Sequence, residues 1–171
     1  MKKLILILVA FGVANIQAME TKYGIGYSNK EISSGSGGQS IDWDNIELSY
    51  YVSFDNNFAA EFSLSTGIKD NSFVDGNDIV KYEGDTSYFL KGIYNINDTF
   101  YISGIYADAK VKVTVSGVSA SAGDEDFGFG LGANFQIPNS ENIIRVGFES
   151  FDFSPAGTDT EIDKLTLTYL F

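Results

Sequence analysis

Apolar and polar side chains alternate with a period of two along several short segments of this chain. In residues 126–137, Phe129 and Leu131 fall on one face of an extended chain, and Gly128 and Gly130 fall on the other. Successive side chains of a β-strand point to opposite sides of the sheet, so the pattern predicts strands with one apolar face and one small or polar face. No later segment reaches the roughly 18 consecutive apolar residues of a transmembrane helix.

Eight such strands are predicted, at residues 21–29, 45–54, 58–66, 86–94, 99–108, 126–137, 142–153 and 162–171. The connections between them alternate in length. Three are tight turns, at 55–57, 95–98 and 138–141, and four are long polar segments, at 30–44, 67–85, 109–125 and 154–161. Short turns at one end and long loops at the other are typical of outer-membrane barrels. A soluble sandwich or a lipocalin is not expected to sort its connections so strictly.

The predicted fold class is therefore all-β, an eight-stranded antiparallel up-and-down transmembrane β-barrel. Strands of about ten residues tilted at about 45° span the hydrocarbon core of a bilayer. Closure of the sheet leaves no backbone edge unpaired in lipid.

The N-terminus has the pattern of a secretory signal. Lys2 and Lys3 precede the apolar run 4–13, and small residues follow up to Ala18. The run is about ten residues, whereas a spanning helix needs roughly 20, so we expect cleavage and not a retained anchor. The predicted domains are a signal peptide at 1–18 and an outer-membrane β-barrel domain at 19–171.

Charge and composition exclude several functions. Loss of Lys2 and Lys3 takes the formal charge from −12 to −14, and so acidic a surface repels nucleic acid. The chain has no cysteine, so it has neither disulfides nor thiolate metal sites. It has no histidine, which removes a Ser-His-Asp triad and other histidine-dependent chemistry. We expect no enzyme, no cofactor and no metal site.

The C-terminal residues Leu165, Leu167, Tyr169 and Phe171 alternate with polar residues and end on an aromatic ring. In this, and over essentially the whole mature chain, the sequence resembles the small eight-stranded outer-membrane barrels of the porin family. It is similar to the transmembrane domain of outer-membrane protein A, to OmpX and to opacity-type surface proteins. The resemblance implies that these four residues are a signal for the outer-membrane assembly machinery. It also implies a monomer in the Gram-negative outer membrane, in contact with lipid and lipopolysaccharide.

Seven charged side chains are predicted to face the barrel interior: Lys22, Glu47, Glu61, Lys91, Arg145, Glu149 and Lys164. An eight-stranded barrel is only wide enough for its side chains to fill, so these charges must neutralise one another. They form either a permanent polar plug or a gate. In the gate, similar to the family's interior network, Arg145 and Lys91 exchange carboxylate partners between Glu61 and Glu149.

Outward aromatic residues are predicted to form two interfacial girdles. The girdle beside the short turns contains Phe54, Phe58, Tyr94, Phe100, Phe135, Tyr169 and Phe171, and the opposite girdle contains Tyr27, Trp43, Tyr88, Tyr106 and Phe127. Acidic residues of the long loops form either a solvated surface or a site for divalent cations near lipopolysaccharide. They are Asp70, Asp75, Asp78, Glu83, Asp85, Asp124, Glu125, Asp126, Asp159 and Glu161.

Three functions remain open at this point. The leading hypothesis is a structural and surface-interaction barrel, which maintains the envelope and presents acidic loops, with adhesion as one role. The first alternative is a narrow porin-like channel for ions or very small solutes. The second is a soluble lipocalin-like binder of an apolar ligand, which requires the apolar face to point inward and the charges to point into water.

Overall fold

The computed structural model describes residues 20–33, 40–75, 78–154 and 160–171, so the predicted signal peptide and Asp159 lie outside the described residues. The described strands are β1 (Glu20–Ser33), β2 (Ile41–Ser53), β3 (Phe58–Asp75), β4 (Asp78–Gly84), β5 (Ser87–Asn95), β6 (Phe100–Val115), β7 (Val118–Gln136), β8 (Ile143–Phe153) and β9 (Thr160–Leu170). Within these ranges, no helix is long and apolar enough to cross a membrane.

The strands close into one antiparallel barrel. β1 pairs with β2 on one side and with β9 on the other. β4 and β5 both lie between β3 and β6, so they are two segments of a single barrel strand that is interrupted at residues 85–86. Two backbone hydrogen bonds between Tyr23 and Phe171, of 2.9 and 2.8 Å, complete the seam. The prediction of an eight-stranded antiparallel barrel is confirmed.

The faces of the strands are those that the alternation predicts. Phe129 and Leu131 are 67% and 57% exposed on the outside of β7, and Leu48 on β2 and Leu167 on β9 are exposed as well. The inward positions include charged side chains that are buried. This is the reverse of a lipocalin, so the soluble apolar-ligand binder is wrong. A barrel with apolar side chains outside requires lipid around it.

The three short connections are tight turns at one end of the barrel. In the first, Asp55 Oδ1 accepts hydrogen bonds from the backbone N–H groups of Asn57 (2.7 Å) and Phe58 (2.6 Å). In the second, Asn97 Oδ1 accepts from Thr99 and Phe100 in the same way. By the rule for outer-membrane barrels, this end is periplasmic.

Two of the predicted long loops are strands. The segments 67–85 and 109–125, which we expected to be loops, continue the barrel walls as two β-hairpins above the lipid-facing band. The second hairpin turns at Ser116 and Gly117, whose φ angles of 48° and 86° suit a two-residue type I′ turn. The alternation in KVKVTV at 110–115 is typical of a β-strand, but the polar composition of the whole segment favoured a loop.

The two hairpins pair with each other and form what we call the projecting sheet, made of residues 70–75, 78–84, 109–115 and 118–126. Its strand order is β3, β4, β6, β7. Most of the acidic residues that were predicted for loops therefore lie on strands. In the described chain, β7 gains its second neighbour, β8, only from Gly128 onward.

Candidate functional site

Six buried charges form a continuous chain across the lumen, with cations and carboxylates in alternation. We call this chain the charge ladder. Its members are no more than 5% exposed. In order from the periplasmic side, they are Arg145, Glu61, Lys91, Glu149, Lys164 and Glu47.

The contacts of the ladder are short. Lys91 Nζ lies 2.9 Å from Glu61 and 2.5 Å from Glu149. Lys164 Nζ lies 3.0 Å from the other oxygen of Glu149 and 2.9 Å from Glu47. Each lysine therefore bridges two carboxylates, and the ladder has three positive and three negative groups. Such a set is neutral inside the barrel, which buried charges require.

Hydroxyl groups complete the coordination of the carboxylates. Ser28 donates to Glu47 at 2.8 Å, and Ser63 donates to Glu61 at 3.1 Å. Both serines face inward because they share the strand parity of their charged neighbours. The ladder is thus held by side chains from six strands, β1, β2, β3, β5, β8 and β9, and β8 supplies two of its charges, Arg145 and Glu149.

Arg145 ends the ladder on the periplasmic side. Its Nη1 lies 2.6 Å from Glu61, and its Nε donates to Asn134 Oδ1 at 2.8 Å. The guanidinium carbon lies 4.8 Å from the centroid of the Tyr51 ring and 5.0 Å from that of Tyr101. Cation–π contacts with two rings restrict the exchange of the guanidinium between carboxylates.

Lys22 does not join the ladder, which corrects its predicted place in the network. It lies at the periplasmic mouth, where its Nζ pairs with Glu20 at 2.6 Å and donates to the backbone oxygen of Glu141 at 2.5 Å. The side chain faces inward as expected. Its position near the start of β1 places it below the level of the other charges.

Lys30 is an interior cation that the sequence analysis missed. The predicted first strand ends at residue 29, whereas β1 continues to Ser33. Lys30 therefore has the inward parity of Lys22 and is 2% exposed. Its Nζ donates to Ser65 Oγ at 3.1 Å and lies 4.7 Å from the centroid of Phe89. Extending the predicted first strand by one residue would have placed Lys30 on the inner face.

An apolar layer closes the lumen on the extracellular side of the ladder. Its buried members are Trp43, Phe89, Ile105, Ala107, Ala109, Val111, Phe151, Phe153 and Ile162. Trp43 was expected in the outer girdle, yet it is 2% exposed in this layer. It has the same parity on β2 as Glu47, which points inward. The girdle assignment for Trp43 is therefore wrong.

A second apolar layer lies on the periplasmic side and consists of Tyr51, Ala59, Ile93, Tyr101 and Leu170. Below it opens a polar vestibule of about 1040 Å³, with Glu20, Asn95 and Glu141 among its lining residues. The lumen thus runs from vestibule to apolar layer, charge ladder and apolar layer. Packed apolar layers on both sides exclude water from the ladder.

Inward glycines make room for this packing. A Cβ on Gly132 would come within 2.5 Å of Tyr101 Oη, and a Cβ on Gly130 would come within 2.7 Å of Ser103 Oγ. The alternating glycines of β7 therefore allow the side chains of β6 to lie across the lumen.

The acidic residues of the projecting sheet are largely paired. Lys81 lies 3.1 Å from Asp70, and Lys112 lies 3.5 Å from Glu83. The Ser121 hydroxyl donates to Asp85 at 2.8 Å and, with the Thr86 amide, holds the pKa of Asp85 below its ordinary value. The described residues contain no group of three or more potential metal-ligating side chains.

The four C-terminal residues of the predicted assembly signal lie on the outer surface of β9 and just beyond it. Leu165 and Leu167 are exposed to the lipid side. The rings of Tyr169 and Phe171 stack at 5.7 Å beside the seam with β1.

Comparison with known proteins identifies the family of the chain and structures with the same fold. Residues 4–170 match the family described as outer membrane protein beta-barrel domain. Two solved structures share the fold. Ail, the attachment invasion locus protein of Yersinia pestis, in complex with the heparin analogue sucrose octasulfate, is 18% identical with a TM-score of 0.60, covering 88% of this chain and 97% of Ail.

The second structure is the Neisserial surface protein A, which is 13% identical with a TM-score of 0.60 and covers 88% of this chain and 95% of that protein. No curated protein sequence matches the chain. The family match and the lipid-facing barrel agree, and the chain belongs to the outer membrane protein beta-barrel domain family of the bacterial outer membrane.

Proposed function

We propose that this protein is a closed outer-membrane barrel with a structural and surface-interaction role, and that the projecting sheet is its interaction surface. The observation that supports this most strongly is the combination of a filled lumen with a four-stranded sheet above the lipid band. A barrel that transported solutes would need a path through its centre. A barrel that presents a surface needs only a rigid base.

The tip of the projecting sheet is apolar and exposed. Val74, Ile79 and Val118 are 73%, 63% and 75% exposed, and Val74 and Ile79 are direct register partners. Val118 pairs with Val115 and lies on the opposite face, so Val74 and Ile79 form the contiguous apolar area. Adjoining exposed apolar side chains outside the bilayer mark an interaction site more often than a solvated one. The backbone of β7 along 118–123 has no second strand beside it within the described residues, which suits pairing with an extended segment of a partner.

The charge of the chain favours a protein partner over a sulfated polysaccharide. The Ail structure contains a heparin analogue, a polyanion. This chain has a formal net charge of −12, and the lysines of its projecting sheet are paired with carboxylates. Repulsion of a polyanion by such a surface supports a partner with an apolar or basic contact face.

The narrow channel is the second candidate, and the lumen argues against it. Ions would have to cross two apolar layers and displace members of the ladder. We expect no steady conductance when the purified barrel is inserted in planar lipid bilayers. Reproducible single-channel steps from the folded protein would support the channel and contradict the closed barrel.

The remaining features concern biogenesis and partners. We infer that residues 1–18 are a cleaved signal peptide and that Leu165, Leu167, Tyr169 and Phe171 engage the assembly machinery. The barrel is a monomer in lipid and lipopolysaccharide. It carries no catalytic activity and no cofactor, since its sequence has no histidine and its interior carboxylates are engaged by lysine and arginine.

A binding comparison tests the interaction surface. Bacteria that display the wild-type protein are applied to an array of immobilised extracellular proteins and to immobilised heparin. The variants Val74→Ser and Ile79→Ser remove apolar area from one face of the tip, and Ile96→Ser is the control, because Ile96 is equally apolar and 56% exposed in a periplasmic turn.

We expect protein binding that is lost in both tip variants, kept in the control and not seen on heparin. Equal binding by cells without the barrel would contradict the interaction role. An unchanged envelope sensitivity to detergent in those cells would contradict the structural role.

A further inference from the structure

The outer wall of the barrel contains a groove of about 660 Å³ that opens toward the lipid. Its floor is formed by Gly92 on β5 and Gly104 on β6, which are direct register partners. An ideal Cβ at either glycine would meet nothing within 4 Å. Two glycines side by side therefore leave the backbone of the wall uncovered at this point.

Large apolar side chains form the walls of the groove. Phe58 and Tyr94 are register partners, and their rings pack at 5.1 Å. Ile102 and Leu131 continue the same row on the next two strands. These residues are between 41% and 57% exposed, so they stand out from the wall around the glycine floor. The volume is in the range of small-ligand pockets.

The groove lies in the periplasmic half of the lipid-facing band. Phe54, in the turn between β2 and β3, lines its lower end. Phe58 and Tyr94 immediately adjoin the short turns, which are the periplasmic end. The groove therefore faces the periplasmic leaflet of the outer membrane. Water does not fill an apolar groove within hydrocarbon, so a lipid chain is the material that reaches it.

The two short turns that adjoin the groove carry acidic residues, which also border the vestibule on the lumen side. The turn residues 54–57 and 96–99 contain Asp55 and Asp98, and neither segment contains a lysine or arginine. Carboxylates at this level attract a headgroup that carries an ammonium and repel one with a net negative charge.

We propose that this groove is a binding site for one acyl chain of a periplasmic-leaflet phospholipid with an ethanolamine headgroup. The glycine floor admits the chain against the barrel backbone, and the aromatic walls hold it on both sides. The acidic turns face its ammonium group. The site depends on the outer-membrane location of the barrel and is independent of what the projecting sheet binds.

Native mass spectrometry tests the proposal. The folded wild-type protein in mild detergent is exposed to phosphatidylethanolamine or phosphatidylglycerol with matched acyl chains. The double variant Gly92→Leu/Gly104→Leu fills the groove. Ala133→Leu is the matched control, because it adds similar bulk to the lipid face outside the groove. Heat-dependent gel mobility shows which variants fold.

We expect the wild type and the Ala133→Leu variant to retain one phosphatidylethanolamine. The double variant should lose about tenfold in retention, which corresponds to about 1.4 kcal/mol. Equal retention by the double variant would overturn the site, and equal retention of phosphatidylglycerol would overturn the headgroup assignment. A wild-type dimer that the double variant disrupts would replace the lipid by a second copy of the chain.

A second measurement needs no variant. Phosphatidylethanolamine with a photoreactive group on its acyl chain should label the wild-type barrel on peptides that contain Phe58, Tyr94 or Ile102. Labelling spread evenly around the barrel wall would contradict a specific site.

Discussion

Replacing Lys164 with methionine should be among the most destabilising single changes to the barrel interior. Lys164 is 0% exposed, and its ammonium bridges Glu47 and Glu149 at 2.9 and 3.0 Å. Without it, Glu149 keeps Lys91 as a partner, but among the described residues Glu47 keeps only the Ser28 hydroxyl as a direct partner, and the buried Lys30 acts on it at longer range. The ladder then has two cations for three carboxylates, and Glu47 stays buried without its salt bridge.

The loss of unfolding free energy in Lys164→Met can be estimated from the broken salt bridges. Removing one partner of a buried ion pair costs about 3–5 kcal/mol, because the other charge stays desolvated. With a slope of about 1–3 kcal/mol per molar urea, the unfolding midpoint should fall by about 1 M or more. The double variant Lys164→Met/Glu47→Gln leaves two cations and two carboxylates, so it should recover more than half of the loss.

Urea unfolding in lipid vesicles measures this directly, because the chain has a single tryptophan and Trp43 lies in the lumen at 2% exposure. Lys112→Met is the control, since it removes an exposed pair with Glu83 and should leave the midpoint nearly unchanged. The reasoning fails if Lys164→Met behaves like Lys112→Met. It also fails if the charge-balanced double variant is no more stable than the single one.

Three further predictions follow from the faces and ends of the strands. Leu167→Arg, at an exposed position of β9 in the lipid band, should cost about 2–4 kcal/mol of folding free energy in vesicles, whereas Thr114→Arg on the projecting sheet, which removes one exposed hydrogen bond to Ser119, should cost less than about 1 kcal/mol there. Deletion of Phe171 should lower the amount of barrel found in the outer-membrane fraction of cells while purified protein still refolds in detergent, and equal amounts in cells would refute the assembly signal. Arg145→Gln should leave planar bilayers without steady current, because the two apolar layers still close the lumen, and an open channel in this variant would restore the gate hypothesis.

The alternation of side chains was sufficient to assign the faces of most strands. Phe129 and Leu131 face out and Gly128 and Gly130 face in, as the pattern predicts. The same parity placed Glu47, Lys91 and five other charges on the inner face. It works because a one-residue shift would move every charge of a strand into lipid, so only one register is stable.

The face on which a residue lies does not by itself predict whether a charged side chain is tolerated there. By face alone, a charge at the inward-facing Gly130 would be tolerated better than a charge at Leu131. In the structure, a Cβ at Gly130 would lie 2.7 Å from Ser103 Oγ and 3.0 Å from the backbone oxygen of Phe148. Both positions therefore reject a large charged side chain, for different reasons, and Thr114 is the better comparison for the lipid-facing site.

The sequence was a poor guide to where the strands end. The segments 67–85 and 109–125 are polar because they stand in water above the membrane, and polarity was interpreted as a loop. Their hydrogen bonds are made to each other, between β4 and β6, which no local pattern in either segment reveals. The same early ending of β1 concealed Lys30, and an assignment by residue type misplaced Trp43.

The sequence by itself determined the barrel: a period of two over short segments, an even number of them and a terminal aromatic strand leave few other ways to satisfy the backbone in lipid. Tertiary structure alone decided how the interior is arranged. Which cation meets which carboxylate depends on the stagger of strands that are distant in sequence, as when Arg145 meets Glu61 across the lumen. The projecting sheet and the glycine groove have the same origin, because both arise from the pairing of strands and not from any single one.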